Sequence, residues 1–378
     1  MKIGVLKEIK ASENRVSMIP AGVDAMVAHG HQVMVENNAG IGAGFSNEAY
    51  IAAGAKIASA DEIFAQCDMV MHVKEPQPSE YDKLRPGQIL FTYLHLAADK
   101  PQTEALVKSG NISIAYETIQ LPDRSLPLLT PMSEVAGRMS IQQAAKYLEL
   151  PQGGMGKLMG GVPGVEPATV VVLGGGVVGT QAALMACGLG AKVYILDVNL
   201  ARMRYLNETM PANCFTLYST PHAVRELLKV ADVVVGAVLI PGAKAPHLVT
   251  RKDLALMKKG AVLVDVAIDQ GGCFETSKAT KHEDPVYQID GIQHYCVANI
   301  PGAVAVTSTQ ALCNATLPYA LLIADKGWEA AAREREDIRL GCNVIEGKIT
   351  YKAVAEAFGF DYTPIESILL GAPEKAAA

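Results

Sequence analysis

The chain has 378 residues, half of them apolar and 19% charged, with a formal net charge of −6. That length exceeds one ordinary hydrophobic core and predicts two domains, and the composition excludes a disordered or fibrous chain. The mild acidic balance, without any Lys/Arg run able to neutralise a row of phosphates, argues against nucleic acid as a partner.

The first predicted elements are short apolar runs alternating with helix-length segments: KIGVL, then PAGVDAMVAHG, then HQVMVE, CDMVMHV, QILFTYL and NISIAYE. The runs do not alternate with polar residues, the pattern of parallel strands covered by helices on both faces. A helical pattern over 133–150 leads into PQGGMGKLMGGVPGVEP (151–167), dense in glycine and proline. A second strand series follows: TVVVLG, KVYILD, CFTLYS, DVVVGAV and AVLVDVAID. After Pro301 the pattern becomes a long helix interrupted by Pro318 and Gly327, and TYKAVAEAFG adds a short helix near the end.

The last seventy or so residues lack the strands for a core of their own and are expected to pack back on the first domain. The fold class is therefore α/β, with two doubly wound, Rossmann-like domains. Residues 1–130, completed by 306–378, form one domain, and 131–305 form a nucleotide-binding domain inserted into it. Seven scattered cysteines without a Cys-x-x-Cys pair point to a reducing compartment. The start, MKIGVLKE, has no apolar signal core, and no run of eighteen apolar residues occurs. A soluble, cytoplasmic protein with no membrane partner is expected. The histidines and cysteines show no ligand spacing, so no metal site is expected.

VVVLGGGVVGTQAALMACGLGAKVYILD (170–197) holds Gly174, Gly176 and Gly179 as G-x-G-x-x-G. A strand precedes the glycines, a helix follows, and the next strand ends in Asp197, the order a dinucleotide site requires. Gly174 allows the tight turn, Gly176 lets the backbone approach a pyrophosphate, and Gly179 allows close packing of helix on strand. Val177 and Val178 open the helix whose N–H groups would meet the phosphates. Asp197 can accept two ribose hydrogen bonds and would repel a 2′-phosphate, which favours NAD as the cofactor. Arg202 and Arg204 stand close by in sequence and work against that preference.

Ligands of such sheets bind beyond the carboxyl ends of the strands. In the second domain those ends carry Asp197, Ser219, Val238 with Leu239, and Asp269; in the first they carry Lys74 with Glu75, His95 and Glu117. Each has a plainer reading. Lys74 and Glu75 could solvate a loop, Asp269 could be a turn residue before Gly271, Arg15 could be a surface charge, and His95 could be a hydrogen-bonded core histidine. Position at the strand ends favours a site.

IGVLKEIKASENRVSMIPAGV (3–23) and GGVPGVEPATVVVLGGGVVG (160–179) resemble the signature regions shared by alanine dehydrogenases and the NAD-binding subunit of proton-translocating transhydrogenases. FTYLHLAA, TPMSEVAGRMS, AVLIPGAKAPHLVT, VDVAIDQGG and HYCVANIPGAV are more similar to alanine dehydrogenases. The resemblance covers nearly the whole chain. It implies an interdomain cleft, a homohexamer built from dimers, and reversible oxidative deamination of L-alanine with NAD⁺ to pyruvate, ammonia and NADH. It gives Arg15 and Lys74 to the substrate carboxylate and proton transfer to His95 and Asp269. To NAD it gives Ser133, Asp197, Arg202, Ser219, Val238, Leu239, Ala267, Ile268, Lys278 and Asn299, besides the glycine turn. The chain departs from the family at Leu6, where many relatives have proline, at Lys278, where some have arginine, and at Ala305-Val306, where a Pro-Arg pair is usual.

Overall fold

The computed structural model describes residues 1–238 and 246–370. The chain divides into two compact units, Ser133–Ala303 and the combination of Met1–Met132 with the described part of Val304–Ala378.

The first unit begins with β1 (Lys2–Val5), β2 (Gln32–Glu36), β3 (Lys56–Ala58), β4 (Met69–Met71), β5 (Ile89–Thr92) and β6 (Ile112–Ala115), all mutually parallel. Local chemistry sets the helix ends between them. Ser59 and Glu62 form a reciprocal capping box on helix Ala60–Gln66. Asp99 accepts the Gln102 N–H at the start of helix Lys100–Ser109, which stops at the left-handed Gly110.

The second unit contains β7 (Thr169–Leu173), β8 (Lys192–Asp197), β9 (Cys214–Tyr218), β10 (Val233–Gly236), β11 (Val262–Asp265), β12 (Val286–Ile289) and β13 (Ile292–Tyr295). Their order is β12-β13-β11-β10-β7-β8-β9, and β12 runs antiparallel to its neighbour. The chain builds outward from β7 through β8 to β9, then returns to the other side of β7 with β10. The switch point therefore lies between β7 and β10, where a doubly wound sheet opens its ligand crevice. Its core includes Val171, Leu173, Leu196, Val234, Leu263 and Phe274.

The first unit is completed by β14 (Cys342–Ile345) and β15 (Lys348–Ile349), giving the order β15-β14-β6-β5-β4-β1-β2-β3. Leu6, Phe64, Val70, Leu90, Leu106 and Val344 belong to one core in it, so the returning chain contributes directly to that interior.

Three features differ from the sequence expectation. Helix Ala305–Lys326 runs through Pro318 without a break and ends at Gly327. Leu312, Cys313, Thr316, Tyr319 and Ile323 are buried along it, and such tertiary packing outweighs the one backbone bond that a proline removes. The returning segment supplies two strands as well as helices. The hairpins β12–β13 and β14–β15 escape a search for apolar runs because VYQI, IQHY and CNVI contain polar residues. Their sequence signal is the turn: Asp290-Gly291 and Glu346-Gly347 all have positive φ.

Candidate active site

Four neighbouring strands of the first unit, in the order β6-β5-β4-β1, are each followed by a residue able to bind or move charge. Parallel pairing puts all four carboxyl ends on one edge of the sheet.

The loop after β1 carries Arg15, which is 2% exposed and so is no surface charge. Glu13 grips it in a fork: Nε donates to Oε1 at 2.7 Å and Nη2 to Oε2 at 2.5 Å, while the Arg15 backbone N–H also reaches Oε1. Nη1 points at Met132 Sδ, 3.0 Å away. Burial opposes the guanidinium charge, but hydrogen bonding and attraction from Glu13 outweigh it and hold the group above its ordinary value.

Lys74, three residues beyond β4, is half-buried and fixed by its backbone. Its N–H donates to Glu8 Oε2 at 3.3 Å, and its C=O accepts from the Thr92 hydroxyl at 2.9 Å. The same Glu8 carboxylate accepts the Val73 N–H at 2.6 Å and lies 3.2 Å from His72 Nδ1. His72 is buried between Glu8 and Glu80. Burial works against its positive charge, but attraction to Glu8 prevails and raises its pKa. Glu75 pairs with Lys10; burial would raise its carboxyl, and Lys10 with Lys74 pulls it below the usual range.

His95, three residues beyond β5, has φ 50° and ψ 38°. A left-handed histidine costs about 1–3 kcal/mol unless its surroundings impose it, and such strain concentrates at functional sites. Glu117, just beyond β6, imposes it by accepting the backbone N–H groups of Leu94 and His95. The imidazole stacks on Tyr93, with ring centroids 5.9 Å apart, and its side chain is 48% exposed. It is therefore not a core histidine. Tyr93 is itself buried, donates to Leu128 O at 2.5 Å, and couples electrostatically to Arg15. The structure thus brings Arg15, Lys74 and His95 to one edge, linked through Tyr93 and Glu8.

In the second unit the glycine turn sits at the switch point. Gly174 has φ 106°, and a Cβ on Gly179 would stand 1.8 Å from Gly174 O, so neither position accepts a side chain. At Gly176 a Cβ would meet nothing within 4 Å. That open space lies at the start of helix Val177–Gly188, whose N-cap Gly176 provides no side-chain acceptor. Backbone donors facing open space suit a pyrophosphate.

Asp197 ends β8, with Oδ2 accepting the Gly175 N–H at 2.7 Å and Oδ1 the Asn199 N–H at 2.8 Å. Arg202 turns to the glycine turn instead of to Asp197, donating to Gly175 O and Thr180 Oγ1 and lying over the Tyr205 ring. Ser219 donates its N–H to Asp197 O. Val238 closes on Gly174, whose Cβ would come within 3.0 Å of it. These residues are one group around the NAD fingerprint, and the donor set fits the cofactor.

Beyond β11, Ala267 and Ile268 are buried while Asp269 is exposed in the short 3₁₀ turn Ile268–Gln270. Cys273 Sγ reaches Val238 O at 3.6 Å, which places this loop beside the β10 end. Lys278 is exposed and donates its backbone N–H to Tyr287 at 2.7 Å. Asn299 has φ 62°, and its carbonyl lies 3.1 Å from His282 Nε2. Ser133 lies in helix Thr130–Tyr147. Leu239 falls outside the described residues. No group of three His, Cys, Asp or Glu side chains able to hold a metal occurs among the described residues, and no helix there is long and apolar enough to cross a membrane.

Sequence reasoning missed Glu13, which grips Arg15, Glu8, which accepts the Lys74 N–H beside His72, Tyr93, which stacks on the His95 ring, and Asp265, which accepts the Ala267 N–H. Glu13, Tyr93 and Asp265 each stand two positions before the site residue they contact, but that spacing is too common in sequence to single them out.

Comparison with known proteins finds likeness over nearly the whole chain. Residues 4–136 match the N-terminal and 140–352 the C-terminal domain model of the family described as alanine dehydrogenase/PNT. An alanine dehydrogenase of Methanococcus maripaludis is 56% identical, covering 98% of this chain and all of its own. A solved L-alanine dehydrogenase superposes with a TM-score of 0.92 at 49% identity, over 95% of this chain and 99% of that one. A transhydrogenase from Sinorhizobium meliloti has a TM-score of 0.80 at 24% identity, covering 93% of this chain and all of its own, and it shows the shared fold.

Proposed function

The chain belongs to the alanine dehydrogenase/PNT family, and from that membership we infer its reaction: NAD-dependent, reversible oxidative deamination of L-alanine to pyruvate and ammonia. The observation that carries the assignment of roles is the set Arg15, Lys74 and His95 at the ends of adjacent strands, in a chain whose other unit bears the dinucleotide turn at its switch point.

The first unit takes the substrate. Arg15, its guanidinium plane fixed by Glu13 through Nε and Nη2, binds the carboxylate through its Nη1 end. Lys74 adds a point charge at the carboxylate or the developing carbonyl. NAD, held by the glycine turn, Asp197, Arg202, Ser219 and Val238, supplies the hydride acceptor when bound. Ser133, Leu239, Ala267, Ile268, Lys278 and Asn299 complete its contacts in this reading.

Loss of the amino group requires a residue that gives and takes protons near neutral pH. His95 fits, since an imidazole nitrogen can both donate and accept a proton and its ring is open to solvent. Asp269 orients the attacking water or the departing amine and balances positive charge on nitrogen. The family likeness also supports a homohexamer acting in the cytoplasm.

The test is absorbance at 340 nm on mixing the protein with NAD⁺ and L-alanine, with no partner protein present. Reduction supports the reading. Tight NADH binding without reduction would transfer the chain to a transhydrogenase-like or purely binding role.

A further inference from the structure

Asp265 closes β11 and is completely buried. Its carboxylate receives hydrogen bonds from both ends of the loop that follows. Oδ1 accepts the Ala267 N–H at 3.1 Å; Oδ2 accepts the N–H groups of Cys273 at 2.8 Å and Phe274 at 3.3 Å, and also the Ser277 hydroxyl. Asp269 lies between these anchor points.

Inside the loop, the Gly271 N–H donates to Ile268 O and the Gly272 N–H to Ala267 O. Both glycines are left-handed, and a Cβ on Gly272 would stand 2.6 Å from Asp265 Oδ2. The loop is thus wrapped directly on the carboxylate. Beyond Ser277 the network continues to Cys296 Sγ and to Tyr287, whose hydroxyl donates to Thr276 O and accepts the Lys278 N–H. Burial raises the Asp265 carboxyl, and the hydrogen bonds from Ser277 and the backbone only partly offset this. A group so costly to bury is out of place in a core that needs packing alone.

We propose that Asp265 is a positioning residue for the reaction, holding the loop 266–277 at both ends and so fixing where the Asp269 carboxylate stands at the edge of the second sheet. The inference rests on the reading that Asp269 acts at the reacting atoms. Asp265→Asn keeps the size but turns an NH₂ group toward N–H donors, and Ser277→Ala removes a single donor.

The variants Asp265→Asn, Ser277→Ala and Asp269→Asn are compared for kcat with L-alanine, NADH dissociation constant and melting temperature. Displacing a reacting group by about 1 Å costs on the order of 100-fold, so Asp265→Asn is expected to lose about 10- to 100-fold in kcat and Ser277→Ala less, while NADH affinity, to which Ala267 and Ile268 of the same loop contribute, falls by a clearly smaller factor than kcat. A lowered melting temperature with parental kcat would make the carboxylate purely structural and overturn the proposal. Equal loss of NADH affinity and kcat would overturn it as well. Asp269→Asn without turnover beside a fully active Asp265→Asn would overturn this inference alone. A fully active Asp269→Asn would remove the reading beneath it. If Asp265→Asn does not fold, Ser277→Ala decides by the same criteria.

Discussion

The carboxylate of Glu117 takes the backbone N–H of His95 at 2.6 Å, and the same oxygen stands 3.9 Å from the imidazole Nδ1. One acid thus holds the strained backbone and lies beside the ring, farther off than a hydrogen bond. Stacking on Tyr93 fixes the ring plane. This pairing makes His95 an aimed group and not merely an exposed one.

His95→Ala is expected to abolish turnover and leave NADH binding intact. Glu117→Ala should lower kcat by about 10- to 100-fold, the usual range for losing the support of an acid–base residue, with the NADH dissociation constant unchanged. Steady-state kinetics beside fluorescence titration of NADH separates the two effects; retained turnover in His95→Ala would remove the residue from the mechanism.

Arg15→Ala should raise KM for pyruvate far more than KM for NADH, and equal increases would argue against carboxylate binding. Glu13→Ala attacks the same site through stability. Removing one partner of a buried ion pair costs about 3–5 kcal/mol, so a large fall in the denaturation midpoint is expected. Glu13→Gln, which can still accept from the guanidinium, should recover part of that loss.

Asp197→Ala should weaken NAD and relax discrimination against NADP, because the carboxylate that would repel a 2′-phosphate is gone while Arg202 stays on the glycine turn. The ratio of kcat/KM for the two cofactors reads this directly. An unchanged ratio would mean that Asp197 only braces Gly175.

His72 gives stability a pH dependence. Its pKa is raised in the folded protein, facing Glu8 and Glu80 with Glu36 farther off, so it binds its proton more tightly folded than unfolded. The contribution is fully present below the unfolded value of about 6.5 and is lost as pH rises through the folded value. The difference in melting temperature between the parent and His72→Gln should therefore hold below about pH 6.5 and shrink above it. A constant or growing difference would show that the ring acts by packing.

Much of the fold was legible in the sequence. Buried parallel strands must be apolar throughout, so KIGVL, QILFTYL or TVVVLG announce themselves, and glycines are compulsory where Gly174 and Gly179 meet. The polar hairpin strands Val286–Ile289 and Ile292–Tyr295 were not legible as runs, although Asp290-Gly291 marked their turn. Pro318 misled because local propensity is a weaker force than the packing of a long buried helix.

By itself the sequence determined the α/β class, the dinucleotide turn with its acid, and which charged residues follow strands, since these depend on periodicity and short spacings. Only the tertiary structure decided that Arg15 is buried in the grip of Glu13, that His95 is left-handed and open to solvent over Tyr93, and that Asp265 ties down the Asp269 loop. Most of those partners are near neighbours in the chain, Glu13 with Arg15, Tyr93 with His95 and Asp265 with the loop after it, but each geometry depends on burial and on contacts from distant segments such as Glu117 with His95. Burial and long-range pairing are settled when the sheets assemble, and no local pattern encodes them.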